Sequence, residues 1–225
     1  MTLANATANL AKATGNTVPM LKICGMTRVG DALHAVREGA TAIGFVFWKG
    51  SPRYIEPDRA GEIAAALPAT VTTVGVFVNE PVDSIRETAR VAGLRMVQLH
   101  GDETPAYGDG IEQRVMRAVS LETMDETARA WPADTTLLLD STDPSRRGGR
   151  ASVDWSRAAL VARDRRVVLA GGLTPENIEE AIVTVRPIGV DVASGVESAP
   201  GVKDLDKVAR FLMNARSAFA RVVTP

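Results

Sequence analysis

A single cysteine, Cys24, stands among the 225 residues, and only two histidines accompany it. One thiol cannot close an internal disulfide, and so few soft ligands, with no paired spacing between them, give no reason to expect a bound metal. Strong charge of either sign is also missing: 26 lysines and arginines face 27 aspartates and glutamates, a formal net charge of -1. Neither a nucleic acid nor an anionic membrane is therefore expected as a partner, and any affinity for a small anion must come from a local arrangement. No apolar run approaches the roughly 20 residues needed to cross a bilayer. The first 20 residues, rich in Ala, Thr and Asn with Lys12 as their one basic residue, lack the basic start and apolar stretch of a secretory signal. A cytosolic protein is the expectation, with residues 1–19 as a flexible lead of no assigned function and 20–225 as the folded domain. The glycine fingerprint of a dinucleotide fold is absent as well. What is present, 45% apolar and 24% charged residues, suits one globular domain with a large core.

Along that domain two apolar periods alternate. Short, nearly unbroken apolar runs predict buried strands over 21–24, 41–47, 71–78, 95–99, 114–118, 136–140, 167–170 and 188–192. Between them, helical spacing predicts helices over 29–38, 58–67, 82–92, 121–130, 155–163, 175–184 and 202–221, with a weak eighth stretch at 104–108 that a turn would also explain. Eight βα units in about 200 residues imply a single (β/α)8 TIM barrel, an α/β fold, with an open doubly wound sheet as the alternative. In such a barrel all eight βα loops open on one face, so functional residues gather at the carboxyl ends of the strands. Cys24, Trp48, Asn79, His100, Asp140, Gly171-Gly172 and Ser194-Gly195 all fall there.

Each candidate has an ordinary reading beside a chemical one. Cys24 is either a small buried apolar residue or a reactive thiol. Lys22 shares its face of the first strand, and a cation there would favour the thiolate and depress the thiol pKa. Thr27 is placed to cap the helix that follows. Asp140 is either a turn aspartate or, carried to the barrel mouth by three leucines, a general acid with a pKa raised by partial burial. Arg53, in a loop stiffened by Pro52, is either a surface cation or a fork for a carboxylate. His100 reads as a hydrogen-bonded rim residue before a catalyst. The turns at Gly171-Gly172 and Ser194-Gly195 follow strands seven and eight, where this fold commonly holds a phosphate. The run Arg146-Arg147-Gly148-Gly149-Arg150, without interleaved aromatics, reads as a flap over the site in preference to a nucleic-acid patch. Trp131 and Trp155 read as packing residues.

Together the motifs Lys22-Ile23-Cys24-Gly25-Met26-Thr27, Ser51-Pro52-Arg53-Tyr54, Gly75-Val76-Phe77-Val78-Asn79, Val97-Gln98-Leu99-His100-Gly101, Leu138-Leu139-Asp140, Ala170-Gly171-Gly172-Leu173 and Asp191-Val192-Ala193-Ser194-Gly195-Val196-Glu197 resemble the phosphoribosylanthranilate isomerase family of tryptophan biosynthesis. The resemblance runs from about Leu21 to the end. It implies an Amadori rearrangement of N-(5-phosphoribosyl)anthranilate to 1-(2-carboxyphenylamino)-1-deoxyribulose 5-phosphate, an aldose-ketose isomerisation without metal or organic cofactor. By the same resemblance Asp140 is the general acid and Cys24 the general base. Arg53 holds the anthranilate carboxylate, the glycine turns hold the phosphate, and Lys22, His100 and Asp191 line the pocket. Two departures stand out: Gly148-Gly149-Arg150-Ala151 replaces the family's usual Gly-Gly-Thr-Gly, and the stretch before Met20 is either an extra lead or precedes a biological start at Met20. The implied partner is a small phosphorylated substrate; monomer and homodimer both remain open. Two rivals stay in view. A histidine-pathway phosphoribosyl isomerase would end its first strand in aspartate where Cys24 stands, and a phosphosugar-binding barrel without catalysis would need neither Cys24 nor Asp140.

Overall fold

The computed structural model describes residues 18–140 and 153–223. The expected lead therefore lies outside the described residues except for its last two, and the expected flap at Arg146 to Ala151 lies outside them altogether. Eight parallel strands form the centre: β1 (Met20–Ile23), β2 (Ala42–Val46), β3 (Thr72–Phe77), β4 (Met96–Leu99), β5 (Arg114–Ser120), β6 (Thr136–Asp140), β7 (Val167–Leu169) and β8 (Gly189–Val192). Each pairs with the next, and β8 pairs back onto β1 to close the barrel. The alternating helices are α1 (Val29–Arg37), α2 (Pro57–Ala65), α3 (Val82–Val91), α4 (Pro105–Asp109), α5 (Met124–Ala130), α6 (Trp155–Asp164), α7 (Ile178–Val185) and α8 (Leu205–Val223). The weak stretch near residue 104 is thus a short helix. None of the described helices is long and apolar enough to cross a membrane.

The two-residue period of the strands divides the core in two. One set, including Leu21, Ile23, Ile43, Phe45, Val97, Leu99, Leu137, Leu139 and Leu169, packs against helix residues such as Ala32, Ile63, Ile85, Ile182 and Phe211. The alternate set, Ala42, Val74, Met96, Met116, Ala118, Leu138, Val168 and Ala170, fills the barrel interior. Inward positions nearer the mouth turn polar, at Lys22, Gln98 and Asp191, all buried. Trp131 is buried and Trp155 packs partly buried on the outer core, as expected of packing residues.

Beyond shifts of a few residues at other element ends, two differences from expectation bear on the mouth. The last helix begins at Leu205, because Val202–Lys203 forms a strand, β10, antiparallel to β9 (Glu197–Ala199). Pro200-Gly201 is the turn between them, and Gly201 takes φ +78°, a conformation open to glycine. Thr27 does not cap α1: its hydroxyl donates to the Gly201 carbonyl at 2.6 Å, and Arg28 occupies the cap position without a side-chain bond. That bond ties the hairpin to the loop after β1, beside the mouth.

Candidate active site

At the end of β1, Lys22 and Cys24 project inward on the same face. Lys22 is fully buried, and its Nζ lies 2.9 Å from Asp191 Oδ2, its partner in the β1–β8 register. Room for this stack comes from Gly44 on β2. A Cβ at that position would lie 2.9 Å from Cys24 Sγ and 3.1 Å from Lys22 Cε. Above it, Cys24 packs with Val46, Val76, Trp48 and Ala193. Burial works against the charge on Lys22, but the Asp191 carboxylate and the Cys24 sulfur outweigh it, so the lysine pKa is raised.

The depressed thiol expected from the sequence is reversed by the structure. Burial pushes the Cys24 pKa up, the Lys22 ammonium opposes this, and the Asp191 carboxylate adds to the rise. Lys22 is visible on the same strand face; the anion that shares its charge comes from β8, far away in sequence. Burial likewise raises the Asp191 pKa against the pull of Lys22. Among the described residues Asp191 Oδ1 is buried and accepts no hydrogen bond. Lys22 therefore sits beneath the site, engaged with Asp191, while Asp191 keeps a free acceptor.

Asp140 ends β6, an inward position half-buried at the mouth. His100 Nε2 lies 3.5 Å from Asp140 Oδ2, and His100 Nδ1 pairs with Gln98 Nε2 at 2.9 Å. Gln98 cannot titrate, so this contact favours holding the imidazole in place over moving a proton through it. Just beyond His100, Glu103 accepts the Gly101 N–H at 2.8 Å and the Asn79 N–H at 2.7 Å, while Arg117 Nη2 donates to the Gly101 carbonyl at 2.7 Å. The Glu103–Arg117 pair, 2.7 Å and buried, is the frame that fixes this rim.

Arg53 is at the mouth, but its fork is engaged. Nε and Nη2 donate to the two oxygens of Glu197 at 2.8 and 2.7 Å, an arrangement that raises the guanidinium pKa through the Glu197 hydrogen bonds. Its stem lies on Gly25, where a Cβ would come 2.5 Å from Arg53 Cδ. Glu197 in turn meets Lys203 Nζ at 2.9 Å. Burial opposes ionisation of Glu197, yet the two cations hold its pKa low. Sequence reasoning assigns no role to Glu197 or to Lys203; the Pro200-Gly201 turn is the one signal that a hairpin carries a lysine back over the mouth.

The loops after β7 and β8 come together. Gly171 and Gly172 both take positive φ, +76° and +68°, and the Gly172 carbonyl accepts from Asn177 Nδ2 at 2.9 Å. Gly195 presses on the Leu173 carbonyl so closely that a Cβ could not be accommodated. A 3-10 turn over Ser194–Val196 starts the second loop. Among the described residues no group of three His, Cys, Asp or Glu side chains is placed to hold a metal ion.

Comparison with known proteins agrees with this fold. Residues 21–214 match the family model described as N-(5'-phosphoribosyl)anthranilate (PRA) isomerase. A relative from Trichlorobacter lovleyi, named N-(5'-phosphoribosyl)anthranilate isomerase, is 51% identical over 203 residues, covering 88% of this chain and 98% of its own. The crystal structure of phosphoribosyl anthranilate isomerase from Thermotoga maritima superposes with TM-score 0.84 at 41% identity, over 89% of this chain and 100% of that one. A further crystal structure of that enzyme type, in complex with reduced 1-(o-carboxyphenylamino)-1-deoxyribulose 5-phosphate, gives TM-score 0.80 at 40% identity, with coverage of 89% and 100%. The chain belongs to the N-(5'-phosphoribosyl)anthranilate isomerase family.

Proposed function

We propose that this barrel carries out the family's isomerisation of N-(5'-phosphoribosyl)anthranilate in tryptophan biosynthesis, with Asp140 as general acid and Cys24 as general base. The observation that carries the assignment of roles is the placement of these two groups: both face inward at the carboxyl ends of their strands, on β1 and β6, with three barrel steps between them. A sugar phosphate spanning the mouth meets an acid on one side and a base on the other. Asp140 protonates the ribose ring oxygen, the ring opens, and the nitrogen lone pair forms the C1=N iminium. Cys24 thiolate removes the proton from C2, and the resulting enolamine becomes the ketone as C1 gains a proton, matching the one Cys24 took, and the C2 hydroxyl loses one, matching the one Asp140 gave. Oxidation at C2 is matched by reduction at C1 within one molecule, so the step balances without a redox cofactor.

The raised thiol pKa has a counterpart in this scheme. Burial raises the Cys24 pKa, so the active fraction is the one whose thiol has released its proton to solvent, and the positive iminium formed beside it favours that thiolate. Asp191 Oδ1 is available to a sugar hydroxyl. The outer edge of Arg53, beyond the part gripped by Glu197, faces the aryl carboxylate, and the backbone of the two glycine loops takes the phosphate. A catalytic thiol must stay reduced, which suits a cytosolic setting.

The test is to generate phosphoribosylanthranilate in the cuvette, add protein and follow loss of anthranilate-type fluorescence, with Cys24→Ser alongside. Rapid loss with the unaltered chain alone is the expected result. Equal loss with Cys24→Ser would keep the reaction and remove Cys24 as its base. A folded protein that leaves the fluorescence unchanged would refute the activity itself.

A further inference from the structure

Lys203 stands outside the barrel, on β10, yet its side chain is completely buried and reaches in behind the base. Its Nζ contacts the Cys24 carbonyl at 2.7 Å, the Ala193 carbonyl at 3.2 Å and Glu197 Oε1 at 2.9 Å. Carbonyl and carboxylate oxygens accept and do not donate, so all three bonds are given by an ammonium with no proton to spare. Glu197 Oε1 also accepts Arg53 Nε and, at 3.3 Å, the Gly201 N–H. Arg53, Glu197, Lys203 and the peptide carbonyl of Cys24 thus form one continuous bonded frame. The hairpin that carries it is pinned to the far side of β1 by the Thr27 hydroxyl and by Asp31, which accepts the Lys203 N–H at 3.0 Å.

Charge within the frame is uneven. An arginine gripping a glutamate is neutral as a pair and has spent its best edge, which leaves little attraction for a second carboxylate. Lys203, whose pKa burial lowers against the pull of Glu197, shares the same glutamate and brings no anion of its own, so a buried ammonium and a partly exposed guanidinium face one carboxylate. The next charges outward, Asp31 and the Asp204–Lys207 pair, are all partly exposed, and water screens them.

Building on the proposed isomerisation, we infer that Lys203 is a positioning residue for this reaction: it anchors the carbonyl of Cys24 and leaves the Arg53–Glu197–Lys203 frame one positive charge in excess, which admits the substrate's aryl carboxylate beside the base. Lys203 touches no reacting atom in this scheme. It acts through Arg53 on binding and through the Cys24 peptide on turnover, so its two effects separate.

Two ligands test it: reduced 1-(o-carboxyphenylamino)-1-deoxyribulose 5-phosphate and its phenylamino counterpart lacking the carboxylate, each titrated against the unaltered chain, Lys203→Met, Glu197→Gln and the double variant. Lys203→Met should weaken the carboxylated ligand about tenfold and the other less than about twofold, as loss of one nearby unit charge predicts. The double variant restores the excess charge through Arg53 alone and should regain most of that affinity, while its kcat stays low because the Cys24 carbonyl has lost its anchor. Equal loss for both ligands, or a double variant weaker than Lys203→Met, would overturn the proposal. Should Lys203→Met fail to fold, Glu197→Gln decides: it keeps both cations and should widen the preference for the carboxylated ligand, and a narrowed preference refutes the charge argument. If the unaltered chain binds neither ligand, the underlying function is at fault and the proposal falls with it.

Discussion

The two sides of the barrel mouth are built on opposite principles. Around Cys24 an apolar cluster is ringed by ion pairs: Lys22 and Asp191 below, Glu197 and Lys203 behind, with Arg53 at the rim. Around Asp140 the site is partly open, and the imidazole of His100 stands 3.5 Å away. A base that passes between thiol and thiolate needs charges fixed in place around it: a balanced Lys22–Asp191 pair below and one positive charge in excess behind. An acid that trades protons with water and substrate needs access instead. The dry side should therefore respond to substitution through stability and pKa together, and the open side through chemistry alone.

The largest effects come from the two groups themselves. Asp140→Asn should lower turnover about 10²- to 10⁴-fold, while its half-buried position at the mouth keeps the change in unfolding free energy within about 0.5 kcal/mol. Steady-state fluorescence assays and urea denaturation read these separately. Cys24→Ser should fall as far in turnover. A fully active Asn variant would mean that the open side holds no acid and that the two sides do not differ in the way drawn.

Next comes Lys22→Met, which probes the dry side from below. Leaving Asp191 buried without its partner should cost about 3–5 kcal/mol of stability unless the carboxyl protonates. The direction of the kinetic effect follows from charge. Lys22 favours the negative thiolate, so its loss raises the Cys24 pKa further above the ordinary thiol range. Since the base is the deprotonated form, the rising limb of kcat/KM against pH should move to higher pH. Activity at neutral pH should then drop about tenfold or more, because the thiolate fraction falls in proportion as the thiol becomes a weaker acid. Part of the activity should return in alkaline buffer. A loss that is the same at every pH would show that Lys22 only packs the core.

Much of this is legible in the chain itself, for reasons visible in particular residues. Strands buried on both faces write themselves as apolar runs, such as Leu137-Leu138-Leu139, and their carboxyl ends point to Cys24 and Asp140 without any coordinates. Local neighbours are legible too: Lys22 beneath Cys24 follows from the two-residue strand period. What escapes is the sign of the thiol shift, because burial of Cys24 in the closed barrel dominates it and Asp191, which register alone brings beside Lys22, adds to it. The engagement of Arg53 escapes for the same reason, as a pairing with Glu197 across the chain. The helix predicted from residue 202 shows the reverse error, where apolar spacing outweighs the Pro200-Gly201 turn and hides the hairpin that bears Lys203.

Gly44 offers the smallest and finest probe of the difference between the two sides. Its missing side chain leaves the space in which Cys24 and Lys22 sit, and a methyl group there would lie 2.9 Å from Cys24 Sγ and 3.1 Å from Cys24 Cα. The sulfur can swing away, but the backbone atom belongs to a strand end bonded to Val192 through the Cys24 N–H at 2.8 Å and to Lys203 through its carbonyl. Gly44→Ala should therefore cost about 1–3 kcal/mol in stability through overpacking. A sulfur displaced by a fraction of an ångström should lower kcat about three- to fivefold. KM should hold, because Arg53 and the glycine loops lie elsewhere. Urea midpoints with kcat and KM measured on the same preparation check this. A rise in KM with kcat unchanged would place the strain on the binding frame and not on the base, and so would show that the frame behind Cys24 yields more readily than its bonding suggests.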